Sequence, residues 1–337
     1  MLTLALLAAA QAAPAPSDVK AYGDWAVACD NLHACEATSL MPGEELSDDP
    51  PQVSIAREGG PAGALSVEIT PNAEYRGAYR IDVDGKPVAS GTLAGPSIVL
   101  RGAAAGQLVD AILKGQAMTT RAGDGKVLSQ ASLKGISASL RYFDAGQGRA
   151  GTVTALVAKG SKAAATVPAA PPAPQVRFVR PAGKPEAVGA ALRAAMNKQA
   201  DCDSVYEGSE GGKPQIETHA LGGGKTLALL PCGSGAYNFS TVPYVIERGK
   251  AVVARFDQVP GWTESEGIAT LVNGGWDPAR AELSSYTKGR GLGDCGSSET
   301  FVWDGAMFRL VEMRAMGECR GSANWLRVWK AEPVPAR

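Results

Sequence analysis

The chain has 337 residues, and its 33 Lys and Arg against 34 Asp and Glu leave a formal charge of −1. With no surplus or stripe of basic residues, it lacks the electrostatic basis for binding nucleic acid through bulk charge. An apolar share of 45% against 20% charged rules out disorder throughout, and the length suits two domains.

Leu2 to Ala10 is apolar apart from Thr3 and runs into Gln11, Ala12 and Ala13 before Pro14. Such a run is too short to cross a bilayer as a helix. Followed by small residues, it reads as a secretory signal over 1–13. No Lys or Arg precedes Lys20, so the basic start of that signal is expected upstream of Met1. No later stretch approaches about 18 consecutive apolar residues, and no membrane span is expected. Export would place the six cysteines, Cys29, Cys35, Cys202, Cys232, Cys295 and Cys319, in an oxidising compartment where disulfides are the default. Spacing alone leaves the connectivity open. The three sequential pairs are adopted because each closes a short stretch within one region. A metal site at Cys29, His33 and Cys35 lacks the usual Cys-x2-Cys spacing and a second ligand pair.

In the region 20–160, Trp25, Val27 and Cys29 share one parity. Cys35 and Ala37 resume it after Asp30-Asn31, which predicts a cystine-closed hairpin with one buried face. Leu65, Val67 and Ile69, then Tyr79, Ile81 and Val83, alternate with polar residues as half-buried strands do. Asp84-Gly85 and Asp124-Gly125 accept positive φ and predict tight hairpins. Leu108, Ala111 and Ile112, and again Ile136, Leu140 and Phe143, have helical spacing. Thr152 to Lys159 is rich in β-branched residues and is expected to be a strand. The pattern predicts an antiparallel sandwich with short helices.

Residues 161–177 contain AAATVPAAPPAP, an extended spacer by composition. In the region 178–337, Val188 to Met196 predicts one helix. Strands are then expected at 226–230, 237–246, 251–256, 268–272, 282–287, 300–303, 308–312 and 325–330, in an antiparallel meander or small barrel. Gly261-Trp262 recurs at Gly275-Trp276, but two copies do not make a propeller. The fold class expected is therefore mainly β, in two β-rich domains joined by an Ala/Pro-rich linker.

Three segments carry a family resemblance: DWAVACDN from Asp24 with Cys35-Glu36-Ala37, SLKGISASLRYFDAGQGRAGTVTALVAKG from Ser132, and KGRGLGDCG from Lys288. Phe301 to Phe308 and Cys319-Arg320 extend it. On these residues the chain resembles the bacterial secreted proteins known as domain of unknown function 1176, and its first part is similar to the invasion-associated locus B proteins. The resemblance implies a periplasmic protein of Gram-negative bacteria with a β-rich first part, and no mechanism.

Each motif with chemical promise also has a bland reading. Gly222-Gly223-Gly224-Lys225-Thr226 imitates a phosphate loop but has His219 where the leading glycine belongs and a strand-like run after it, so a hairpin turn is expected. Ser234 lacks the elbow pattern because Cys232 holds its first position. His33 and His219 are the only histidines, which leaves little for a His-based triad. Carboxylates offer more: Asp201 and Asp203, Glu264 and Glu266 beside Trp262, and Asp294 before Cys295 could serve glycoside hydrolysis if suitably spaced. Asp201-x-Asp203 has Tyr206 where a calcium loop needs glycine. Trp262 and Trp276 could stack on sugar rings or a partner, and Arg149 and Arg290, in Gly-rich turns, could bind anions or cap carbonyls. No cofactor or metal is expected. The reading taken forward is a non-catalytic periplasmic module that binds an envelope protein or a cell-wall glycan. The alternative is an Asp/Glu-dependent cell-wall or polysaccharide hydrolase.

Overall fold

The computed structural model describes residues 13–43, 50–202, 214–261 and 268–336. In the first half the strands are β1 (Lys20–Tyr22), β2 (Trp25–Cys29), β3 (Cys35–Ser39), β4 (Val53–Arg57), β5 (Leu65–Ile69), β6 (Gly77–Val83), β7 (Lys86–Leu93) and β8 (Ile98–Arg101). Helix α1 (Gly102–Ile112), β9 (Ala117–Ala122), β10 (Val127–Ser132) and helix α2 (Ile136–Gly146) complete it. The strands form two antiparallel sheets, one ordered β1-β2-β3-β4-β5-β8 and one β10-β9-β6-β7. Trp25, Ile55 and Val67 of the first, Ile81 and Met118 of the second, and Leu108 and Phe143 of the helices share one core. Both helices are where the spacing puts them. Asp84 and Gly85, at φ 50° and 76°, close β6 onto β7, the positive-φ pair that matches strand twist in a two-residue hairpin.

The segment Thr152 to Lys159 departs from expectation, for it is a compact turn with a single bridge and no strand. Buried Asp144, at the end of α2, accepts the N–H groups of Leu156, Val157 and Ala158, each at 2.8 Å. A carboxylate has taken the amides that a sheet ladder would use.

The linker lies on the protein. It forms a 3-10 turn at Ala164–Thr166, buries Val167, and continues into β11 (Gln175–Phe178). Beyond it come α3 (Ala190–Ala200), β12 (Glu217–Gly222), β13 (Lys225–Ser234), β14 (Phe239–Glu247), β15 (Lys250–Val253) and β16 (Leu271–Val272). The chain ends with β17 (Gly275–Asp277), β18 (Glu282–Lys288), β19 (Gly296–Trp303), β20 (Phe308–Met316), β21 (Leu326–Lys330) and β22 (Glu332–Pro335). One sheet runs β12-β13-β14-β15 with β16 on β14. The other is the five-stranded meander β17 to β21, and β22 pairs in parallel with β11. The meander expectation stands and the barrel alternative falls, since these strand orders are open-ended.

Leu227, Leu229 and Val245 face Leu283, Phe301 and Phe308 between the two sheets. Ala228, Leu230, Tyr244 and Ile246 face Met196 and Cys202 on the other side. Being buried on both faces accounts for the unbroken apolar run Leu227 to Leu230, where a half-buried strand would alternate.

Candidate functional site

The sulfurs pair as Cys29–Cys35, Cys202–Cys232 and Cys295–Cys319. The first joins directly opposed residues of β2 and β3. The second ties the end of α3 to β13, and the third anchors a loop between β20 and β21.

That loop meets the first half. Arg320 donates to Asp24 Oδ1 at 2.6 Å and to the carbonyls of Gly23 at 2.8 Å and Met41 at 2.8 and 2.5 Å. Asn324 donates to Glu36 at 2.6 Å, and Arg327 to Asp30 at 2.7 Å. Beneath these bonds Ala26, Ala28 and Leu40 pack against Trp325, Leu326 and Val328. Strand β2 is therefore buried on both faces, with Trp25 and Val27 in one core and Ala26 and Ala28 in another. The expected hairpin with one buried face is corrected accordingly: alanine at the alternate positions lets a second sheet approach.

The predicted binding residues fare unevenly. Arg149 is fully buried. It donates to Gln147 Oε1 at 2.9 Å, Thr154 Oγ1 at 3.0 Å and the Gly60 carbonyl, so its guanidinium is consumed by the fold and is no part of a surface. Gln147 in turn donates to the carbonyls of His33, Arg57 and Glu58. Nearby Arg57 is lowered to about 10, by burial first and by Arg149 second. Arg290 makes a two-point ion pair with Asp294, and Asp294 also accepts the Gly321 N–H at 2.7 Å. Arg290 holds the Asp294 carboxyl below the usual range, which suits an ion-pair member and not a proton donor.

Trp276 is half-buried against the core of the second half, its ring centroid 6.2 Å from that of His219. Trp262, Glu264, Glu266 and Asp203 lie outside the described residues, as does the signal stretch through Ala12. Asp201 is the left-handed cap of α3 at φ 55°. Gly222 to Gly224, all at positive φ, make the turn between β12 and β13, as the bland reading expected.

One concavity has no counterpart among the sequence motifs. It is an open groove of about 810 Å³ in the first half, walled by Asn72 to Tyr75, Gln116 and strand β10. Strand β10 is the edge of its sheet. Asn72, Gln116 and Gln130 are exposed there. Among the described residues their side-chain amides have no partner, and Glu74 and Lys126 stand at the rim. Uncommitted amides donate and accept at once, so they match sugar hydroxyls and peptide groups. No sequence signal marks them, because polar residues on an exposed edge strand look like ordinary solvated positions.

Comparison with known proteins adds lineage. Residues 19–332 match the family described as a protein of unknown function (DUF1176). The chain belongs to that family. The DUF1176 match runs through both halves and their interface. A relative, an uncharacterised protein named YpfG from Escherichia coli (strain K12), is 28% identical over 343 residues, covering 94% of this chain and 93% of its own. No solved structure matches the DUF1176 chain. Among the described residues no helix is long and apolar enough to cross a membrane.

Proposed function

We propose that the chain is a secreted periplasmic protein of the cell envelope that binds a cell-wall component without transforming it. The observation that carries this reading is the groove beside β10, whose amide side chains are left free by the fold. Three disulfides support the compartment, since such bonds persist in oxidising environments. The sequence resemblance proposed for the first half, to invasion-associated locus B proteins, is consistent with that compartment.

Titrating soluble peptidoglycan fragments into the oxidised, isotope-labelled protein tests the reading. Amide shifts are expected at 72–75 and 126–132. The pair Asn72→Ala and Gln130→Ala is expected to weaken binding about tenfold, from roughly 1 kcal/mol or less per lost hydrogen bond. Absence of shifts at millimolar fragment overturns the reading. Appearance of cleaved glycan in the same samples establishes the hydrolase alternative.

A further inference from the structure

The second half holds a separate concavity of about 410 Å³, where the β14–β15 hairpin meets the turn after Trp303. Four cations line it, Lys225, Arg248, Lys250 and Arg255, together with the carboxylate Glu247. Lys225 is committed to Glu247 at 2.7 Å. Among the described residues, the side chains of Arg248, Lys250 and Arg255 make no ion pair within bonding distance. All three are exposed on or beside edge strand β15. Glu247 stands in register between Lys225 and Lys250, and the Glu186 carboxylate accepts the Arg248 and Gly249 N–H groups, so four cations face two carboxylates, and that positive surplus favours an anion that neutralises it.

The same pocket is apolar beneath its rim. Val252, on β15, is 60% exposed, and Val245 and Trp303 line the wall. Trp303 is only 4% exposed, yet its Nε1–H is buried without an acceptor.

We propose that this pocket binds a small amphiphilic anion, a carboxylate or phosphate carried on an apolar chain. Arg248, Lys250 and Arg255, whose side chains make no close ion pair, hold the head group. Val252 covers the first methylenes, beside its cross-strand partner Val245. The site is remote in sequence from the amide groove and does not depend on it.

Calorimetry on the oxidised full-length protein, with probes below their micelle concentrations, tests the assignment. Decyl phosphate is expected to bind with one-to-one stoichiometry. The exposed double variant Lys250→Gln, Arg255→Gln, confirmed folded by an unchanged melting temperature, should weaken it by tenfold or more. Val252→Ser should weaken it several-fold, and raised salt should weaken wild type more than the double variant. Decyl maltoside binding as tightly overturns the role of charge, and inorganic phosphate binding as tightly overturns the role of the apolar wall. No binding of decyl phosphate, or equal binding by the double variant, overturns the site.

Discussion

Replacing Arg320 with alanine removes the hub of the contact between the two halves. Its side chain is 16% exposed and that of Asp24 8%, so the pair sits mostly out of water. The truncation strips Asp24 of its cation and leaves the carbonyls of Gly23 and Met41 without this donor. Deleting one member of a buried pair costs about 3–5 kcal/mol, because the other charge stays buried and uncompensated. Asp24 keeps the Ser132 hydroxyl at 2.7 Å, which places the expected loss near the lower end, about 3 kcal/mol. A matched control is Lys159→Ala. It breaks a pair with Asp110 at 3.0 Å whose members are 56% and 57% exposed, and exposed pairs contribute at most about 1 kcal/mol. Urea unfolding of the oxidised proteins, followed by tryptophan fluorescence and circular dichroism, gives both numbers. An Arg320→Ala loss no larger than the control's would refute the claim that this contact is a desolvated, stabilising interface.

Two further perturbations read the interior. Burial pushes the Glu299 carboxyl above its usual range, against smaller opposing effects from Ser297, the Gly261 N–H and Ser285, so the fold favours the neutral acid. Stability from this group is complete below the unfolded carboxyl pKa and is lost as pH rises through the higher folded value. Glu299→Gln should therefore gain on wild type as pH rises from acid to neutral, and a pH-independent difference in melting temperature would contradict that. Asp144→Ala removes the acceptor of three half-buried N–H groups at once and should cost about 3 kcal/mol. Hydrogen exchange would show it as accelerated loss of protection at 156–158, with strand β2 unaffected.

The legible features were local ones. The Asp-Gly turns, the helical spacing of Leu108 to Ile112 and of Ile136 to Phe143, and the alternation in β5 and β6 each follow from residues close together in sequence. What stayed hidden depended on distant partners. Thr152 to Lys159 has the composition of a strand, and only the fold brings Asp144 to its amides. Arg149 looks like a surface cation because Gly-rich turns are usually exposed, whereas the carbonyl it serves, that of Gly60, lies 89 residues earlier. Ala26 and Ala28 looked neutral, and their small size mattered only once β21 was found against them. The amides of the groove and the cations around Val252 gave no sign, since strands remote in sequence gather them into one place.

Cys319 immediately precedes Arg320, and its disulfide to Cys295 fixes the root of the loop that reaches across to Asp24. On the facing side Cys29–Cys35 cross-links the hairpin that bears Asp30 and Glu36. Each jaw of the clasp is thus riveted by its own sulfur bridge. A reductant, by freeing both mounts together, would loosen the grip between the halves even though no bridge crosses the seam.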